Sequence, residues 1–554
     1  GMSDTYYDLG TYARSAVTTA SEDARRWFDR GLVWCYGFNH EEAIVCFRRA
    51  LEADPGFALA HWGIAYAIGP NYNKPWAAFD DEDRQSSLET ARSEIAAAHA
   101  VAGDATPVEQ ALIVALAARY PAGASEDALA AAVDAYADAM RDVYAAHSDD
   151  LDICALFAEA LMNRTAWQLW DVQSGEPASG ASTLEAKKVL ETAFRRLDGG
   201  RAHPGLLHFY IHLMEMSGHP EEALPAGDAL FGLVPDAGHL QHMPTHIDVL
   251  CGRYREVVAR NESAIAADNK YLAEAGPLNF YTLYRCHNFH FKIYGAMFLG
   301  RYQPAIEAAD AMIATLPHAL LTVASPPMAD WLEGFVPIRQ HVLIRFGRWQ
   351  EVLDQPLPDD PELFCVTTAM MRYARTVALA ATGDVAAAET EMRAFEAAYE
   401  RVPESRMLFN NTCRDILAVA RAMAEGELEY RRANHEAAFA ALRRSVALDD
   451  ALPYDEPWGW MQPTRHALGA LLLEQGRAEE AEAVYRADLG LDGTLGRPFQ
   501  HPDNVWSLHG LHECLLRRGA DEEAATIRQR LDRAAAETDV AVHSSCFCRL
   551  HTAA

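Results

Sequence analysis

Apolar residues recur along most of the chain at the spacing i, i+3, i+4 and i+7, which is the period of an amphipathic α-helix. Segments of this kind are rich in Ala, Leu, Glu and Arg and are separated by short turns that contain Gly, Pro or Asp. The period-two alternation that predicts a β-strand is almost absent. The pattern therefore predicts an all-α protein, and helices alone over 554 residues are typical of repeat architectures.

One 34-residue window, residues 24–57, places small and aromatic residues at regular offsets. Small residues let two helices approach closely, aromatic side chains fill the space between them, and a proline blocks continuation of the second helix. The window resembles the tetratricopeptide (TPR) signature W-x3-G-x2-Y…A-x3-F-x2-A…P. The resemblance implies a TPR-like α-solenoid, a right-handed superhelix of antiparallel helix pairs. The matching residues are Trp27, Gly31, Trp34, Ala43, Phe47, Ala50 and Pro55.

The turn between the two helices of a pair recurs along the chain, each time with a glycine: Gly218, Gly252, Gly300, Gly347, Gly383, Gly476 and Gly519. We expect one repeat array over 1–539 and no domain boundary inside it. The array is regular near 24–57, irregular over 58–200, rich in histidine over 201–318 and continued by later repeats over 319–539. A tail that contains Cys and His, residues 540–554, follows it. The irregular part carries an inserted loop around 71–76, and the best loop candidates are 171–182 and 353–361.

Composition narrows the function classes. The chain has 48 Lys+Arg against 79 Asp+Glu, a formal charge of −31, and 50% hydrophobic residues. The apolar content excludes global disorder, and the acidic balance argues against nucleic acid and anionic membranes as partners. Ten cysteines are too few for a disulfide scaffold. No secretory signal or bilayer-spanning run is visible, so a cytoplasmic protein is expected.

The histidines are unevenly distributed. Nine of the 22 lie between His203 and His290. His208 and His242 are 34 residues apart, as are His212 and His246, so both pairs repeat with the TPR period. Side chains three or four residues apart share a helix face, and equivalent helices of neighbouring repeats pack about 8–10 Å apart. Imidazoles from two repeats can therefore meet at one metal ion.

The predicted metal ligands are the histidines that share these offsets: His208, His212, His239, His242, His246 and His290. Neutral imidazoles suit zinc, copper, iron or nickel. Glu215 lies one turn beyond His212 and could add a carboxylate. In the tail, Cys546 and Cys548 are further metal candidates; a redox pair or a frayed terminus are the alternatives for them.

Four segments resemble a bacterial TPR-repeat family with an AGHxxHMPxHI signature. They are the runs 237–247, 61–73, 208–212 and 287–288, and the match extends roughly from Arg14 to Asp521. The resemblance implies the TPR fold and places these histidines on the concave groove, without implying a reaction. It adds a set of groove residues expected to contact a ligand: Tyr210, Glu215, His287, His341, His466 and His509.

Three functions remain open. The first is a TPR-repeat binding protein whose groove, lined by stacked histidines, holds a peptide or small-molecule ligand and a transition metal. The second is a metal-dependent enzyme, hydrolytic or oxidative, that uses the same histidines. The third is a scaffold in which the histidines only pack or form hydrogen bonds. His219, in a turn, and His203, beside Pro204, are expected to have local structural roles.

Overall fold

A computed structural model describes residues 5–550, which form 27 α-helices and one two-stranded antiparallel hairpin. The hairpin pairs β1 (Met407–Leu408) with β2 (Asn411–Thr412). Consecutive helices pack against each other through short turns, so the predicted all-α, TPR-like fold class is confirmed. No helix in the described part of the chain has the length and apolar character needed to cross a membrane. Short 3-10 turns lie at Trp76–Ala78, Ala102–Asp104, Gly200–Ala202, Pro220–Ala223, Glu333–Phe335 and Arg497–Phe499.

The chain divides into two compact units. Unit 1 is the part up to Ile247 together with Ser263–Arg285, and unit 2 is Asp248–Glu262 together with the part from Cys286 onward. The single array expected over 1–539 stays a prediction. The repeat period of the sequence does not indicate where such a division into units falls.

The helices of unit 1 include both TPR-like pairs and shorter segments. In chain order they are α1 (Glu22–Tyr36), α2 (His40–Ala53), α3 (Ala58–Ile68), α4 (Asp81–Ala100), α5 (Pro107–Ala117), α6 (Glu126–Ala146), α7 (Leu151–Asn163), α8 (Thr183–Arg196), α9 (Pro204–Met214), α10 (Leu224–Leu230) and α11 (Gly238–His242). Three further helices carry residues of both units: α12 (Thr245–Leu250), α13 (Tyr254–Ala275) and α14 (Thr282–Leu299).

Unit 2 continues with longer pairs after a segment of short helices. Its helices are α15 (Tyr302–Ala314), α16 (His318–Leu321), α17 (Met328–Leu332), α18 (Ile338–Arg345), α19 (Trp349–Asp354), α20 (Cys365–Ala381), α21 (Val385–Glu400), α22 (Cys413–Arg431), α23 (His435–Asp450), α24 (Thr464–Glu474), α25 (Ala478–Leu489), α26 (Val505–Arg517) and α27 (Asp521–Ala535).

The signature glycines act as predicted, by letting aromatic rings lie against backbone. A Cβ on Gly31 would lie 2.5 Å from the Phe47 ring, and one on Gly63 would lie 2.7 Å from the same ring. In unit 2 the Tyr485 ring occupies the same kind of space between Gly469 and Gly510. Of the turn glycines, all except Gly218 have positive φ, a conformation that disfavours residues with a Cβ.

Two local features position the helices of the histidine-rich segment. His203 caps the first turn of α9, because its Nδ1 accepts from the Leu206 N–H at 3.1 Å. This confirms its expected structural role. The spacing of His239, His242 and His246 predicts that one helix carries all three, but the structure divides this run into α11 and α12. Pro244 lies at the division, where it has no N–H to continue the helix.

Candidate metal centre

Five of the predicted metal ligands, all histidines, lie together in unit 1, and Glu215 lies beside them. We call these six residues the histidine cluster. Every member is at most 1% exposed. The expected groove is therefore enclosed at this position, and its histidines face the interior. The members are His208 and His212 on α9, Glu215 at the end of α9, His239 and His242 on α11, and His246 on α12.

His208 is held by the backbone of α1. Its Nδ1 donates to the Tyr36 carbonyl oxygen at 2.5 Å. Since that nitrogen carries the proton, Nε2 keeps a lone pair in the neutral ring. His208 Nε2 is buried and has no hydrogen-bond partner. The close approach of α9 to Tyr36 depends on Gly205, where a Cβ would lie 2.5 Å from the Tyr36 ring.

Glu215 connects the two repeats through its two oxygens. His212 Nδ1 donates to Oε2 at 2.7 Å, and His246 Nδ1 donates to Oε1 at 2.9 Å. His212 Nε2 is therefore unprotonated, and it too is buried without a hydrogen-bond partner. His246 Nε2 accepts from His242 Nε2 at 2.8 Å. The expected acidic ligand thus acts through the imidazoles, as carboxylates behind metal-bound histidines do.

His239 completes a group of three donors. One nitrogen each of His208, His212 and His239 lies within 4.8 Å of the other two. A tetrahedral ion with bonds of about 2.0–2.1 Å separates its nitrogen ligands by about 3.3 Å, so small side-chain rotations would bring the three nitrogens to one ion. The donor set fits a transition metal, and two of the three histidines, His208 and His212, each have an unused lone pair on Nε2.

Aromatic rings enclose the three donors. Phe38 contacts all of them, with ring centroids 4.4 Å from His208, 5.9 Å from His212 and 5.5 Å from His239. Tyr72 and Trp167 lie 4.8 and 5.3 Å from His212. These rings form an apolar cover over the three donors.

Arg119 holds the covering loop that carries Tyr72. Its guanidinium donates to the Pro70 carbonyl oxygen at 3.3 Å and to that of Tyr66 at 2.7 Å. The loop lies between α3 and α4, where the sequence predicts an insertion. The insertion therefore has a definite place in unit 1, over His212.

Burial keeps the imidazoles neutral. It lowers the pKa of His212 to about 3 and that of His246 to about 4, the latter against the opposing effect of Glu215. The pKa of His208 lies well below its ordinary value through burial and the neighbouring His212. Neutral imidazole is the form that binds a metal ion.

Three predicted site residues lie in unit 2 and have aromatic surroundings there. His287 lies 4.6 Å from the Phe409 ring, and His341 lies 4.9 Å from the Trp460 ring. His290 is fully buried near Phe335, and neither of its ring nitrogens has a hydrogen-bond partner. Burial lowers the pKa of His290 to about 3 and that of His341 to about 4.

Two later histidines, both expected in the groove, have different surroundings in unit 2. His466 Nε2 bonds Asp488 at 2.8 Å and its Nδ1 bonds Arg345 at 2.8 Å. Both nitrogens are therefore used inside the core, and His466 has none left for a ligand. His509 is partly exposed on α26, with its Nδ1 buried and unbonded.

Tyr210 faces away from the histidine cluster. Its hydroxyl donates to Glu191 at 2.7 Å and its ring lies 5.2 Å from Phe194, so it packs against α8. Two residues along a helix is about 200° of rotation, which explains why Tyr210 and His208 differ in direction.

The two tail cysteines are joined to each other. Cys546 and Cys548 form a disulfide in unit 2 and are nearly buried. Metal binding by cysteine requires the thiolate, so neither sulfur is a ligand in this state. The alternative of a frayed terminus does not apply to 544–549, which pack against the helices of unit 2.

Sequence reasoning missed the partners that shape the site. The Tyr36 carbonyl, the Phe38 ring and the Trp167 ring are far from the histidines in sequence, and no motif connects them. Phe38 lies in the turn between α1 and α2 of the best-matching repeat. Phe38 has φ of 58°, an unusual conformation for a large residue.

No protein-family model matches the chain, and no curated protein matches it. Among solved structures, a chain in the structure of Naa15/Naa10 bound to HypK-THB is similar, with 13% identity and a TM-score of 0.22. The match covers 92% of this chain and 70% of that one. The family with the AGHxxHMPxHI signature remains a resemblance in sequence.

Proposed function

We propose that this protein is a TPR-like binding protein that holds a divalent transition metal at His208, His212 and His239. The observation that carries the proposal is the pair of buried Nε2 lone pairs on His208 and His212, each with its Nδ1 proton fixed by a defined acceptor. An unsatisfied buried polar atom costs about 1–3 kcal/mol. A metal ion would use both lone pairs at once.

Zinc is the first candidate, and copper, iron and nickel share its preference for imidazole. The ligand of the groove, a peptide or small molecule, is a separate part of the proposal. Helical-repeat proteins commonly present extended surfaces to such ligands.

Metal titration of full-length protein without an affinity tag tests the centre. We expect one equivalent of Zn²⁺ or Co²⁺ to bind, and bound Co²⁺ to show the intense visible absorption of tetrahedral coordination. His212→Ala should weaken binding at least 100-fold. His219→Ala is the matched control, because His219 lies in an exposed turn, 74% accessible. Stoichiometric binding that survives in both variants would contradict the assignment.

A metal-dependent enzyme is the second candidate, and the number of donors favours it. Catalytic zinc sites use three protein ligands and leave one position for water or substrate. Addition of azide to the Co²⁺-loaded protein should then shift the visible spectrum. An unchanged spectrum at saturating azide would argue for a closed site.

A further inference from the structure

The C-terminal segment 543–549 is built into unit 2. Ser544, Ser545 and Arg549 are at most 2% exposed. Tyr485 donates to the Ser545 hydroxyl at 2.6 Å, and that hydroxyl donates to the His466 carbonyl oxygen at 2.7 Å. The segment belongs to no helix or strand, so its burial rests on contacts of its backbone and side chains with the surrounding helices.

The segment is held mainly through its backbone and one charge. Arg345 donates to the Ser545 carbonyl oxygen, and Arg431 donates to that of Cys548. Arg549 forms a two-point ion pair with Glu513, at 2.9 and 3.1 Å. Phe547 covers Gly347 and lies 5.6 Å from Trp506. Arginines that donate to backbone carbonyl oxygens, together with a carboxylate that pairs with a cation, are contacts that recognise a peptide.

The residues that hold the segment come mostly from corresponding elements of the repeat. The first helices of four pairs contribute contacts, from Arg345 on α18, Arg431 on α22, His466 on α24, and Trp506 with Glu513 on α26. Tyr373 on α20 lines a small cavity beside Cys546 and Cys548. One surface formed by stacked repeat helices is what repeat proteins use to bind ligands.

The Cys546–Cys548 disulfide closes the middle of the segment into a small ring. Cys548 N–H donates to Cys546 Sγ at 3.2 Å, and Arg549 N–H donates to the Cys546 carbonyl oxygen at 3.1 Å. A ring of this kind restricts the conformations of the released segment. The Cys546–Cys548 bond is the one disulfide among the described residues, so a reductant has one bond to act on there.

We propose that these first helices form a peptide receptor in unit 2, that segment 543–549 is its internal ligand, and that a dithiol releases the segment by reducing Cys546–Cys548. A thiolate of the dithiol attacks one sulfur and forms a mixed disulfide, and its second thiol then displaces the protein sulfur. Two protein thiols form, and the dithiol becomes a cyclic disulfide. This inference is independent of the metal centre.

Hydrogen exchange of the intact protein tests the release. In the oxidised protein the amides of 543–549 should be protected, and dithiothreitol should raise their exchange rates at least tenfold. The double variant Cys546→Ser with Cys548→Ser should exchange like the reduced protein, and its exchange rates should not change when the reductant is added. Equal protection in both redox forms of the natural chain would overturn the proposal.

A labelled synthetic peptide of residues 540–550, with its cysteine pair oxidised, tests the receptor. The full-length double serine variant should bind it, because its own segment lacks the ring. Adding Glu513→Gln should weaken that binding about tenfold through loss of the Arg549 ion pair. Asp532→Asn, a change of an exposed carboxylate paired with Arg528, should leave binding unchanged. A double serine variant that fails to bind the peptide would also overturn the proposal.

Discussion

Glu215 decides the protonation pattern of two histidines. Each of its oxygens accepts one imidazole N–H, from His212 and from His246. Both rings therefore direct an unprotonated Nε2 away from the carboxylate, and the negative charge makes that nitrogen a stronger donor to a metal. A glutamine at this position accepts with its oxygen only, so one of the two imidazoles would have to change its tautomer or its orientation.

The substitution Glu215→Gln should weaken Zn²⁺ binding about 10–100-fold, the range typical of lost partners behind metal-bound histidines. Competition with a chromophoric chelator measures the affinity. The matched control is Glu191→Gln, since Glu191 bonds Tyr210 against α8, away from the histidine cluster. Equal affinities for the two variants would show that Glu215 has no part in metal binding.

The sequence predicts the donors of this site better than their surroundings. The 34-residue spacing brought His208, His212, His242 and His246 to one place because it is the period of the fold. The acceptor of the His208 proton is a backbone carbonyl 172 residues away. Every residue type has a backbone carbonyl, so the composition and spacing of the sequence cannot predict this contact.

Within a helix pair, one aromatic ring fixes the distance between backbones. Phe47 on α2 lies against both Gly31 on α1 and Gly63 on α3. Its ring also packs 5.5 Å from Phe28. Each glycine forms part of the wall of the ring's pocket, so added volume must displace Phe47 or separate the helices.

Gly31→Ala should therefore destabilise the protein by about 1–3 kcal/mol, the usual cost of overpacking, although alanine favours helix. Denaturant unfolding followed by circular dichroism gives the change. Gly103→Ala is the control, because a Cβ there meets nothing within 4 Å. A Gly31→Ala protein as stable as the control would show that the ring has room to move.

The helix pairs themselves follow from the sequence, because each carries its own small and aromatic residues. The short elements do not. The break between α11 and α12 results from Pro244, inside a run whose histidine spacing alone predicts one helix. Even so, His242 and His246 meet across the break at 2.8 Å, so the functional spacing survives the local change of structure.

Over the whole molecule, buried ionisable groups of opposite kind determine the response to acid. Burial lowers the pKa of six histidines to about 3 or 4: His40, His212, His246, His290, His341 and His466. Burial raises the pKa of two carboxyl groups to about 7, Glu159 and Asp449. Below pH 6.5 the unfolded chain binds protons at the histidines, which reduces stability. Between about pH 7 and 4 the folded chain binds protons at the two carboxyl groups, which increases stability.

Two substitutions separate these effects in metal-free protein. His341→Phe removes a group that is neutral when folded above about pH 4 and has a pKa of about 6.5 when unfolded. When the pH falls from 7.5 to 5, the free energy of unfolding of the variant should rise by about 2 kcal/mol relative to that of the natural chain.

Glu159→Gln should do the reverse and lose about 2 kcal/mol over the same range, because the folded protein then lacks a carboxyl with a pKa of about 7. Unfolding free energies at the two pH values measure both changes. The opposite signs are the decisive feature, since a general effect of substitution on stability is the same at each pH and cancels in the difference. Two changes of the same sign would mean that at least one of these buried groups is solvated in the folded protein.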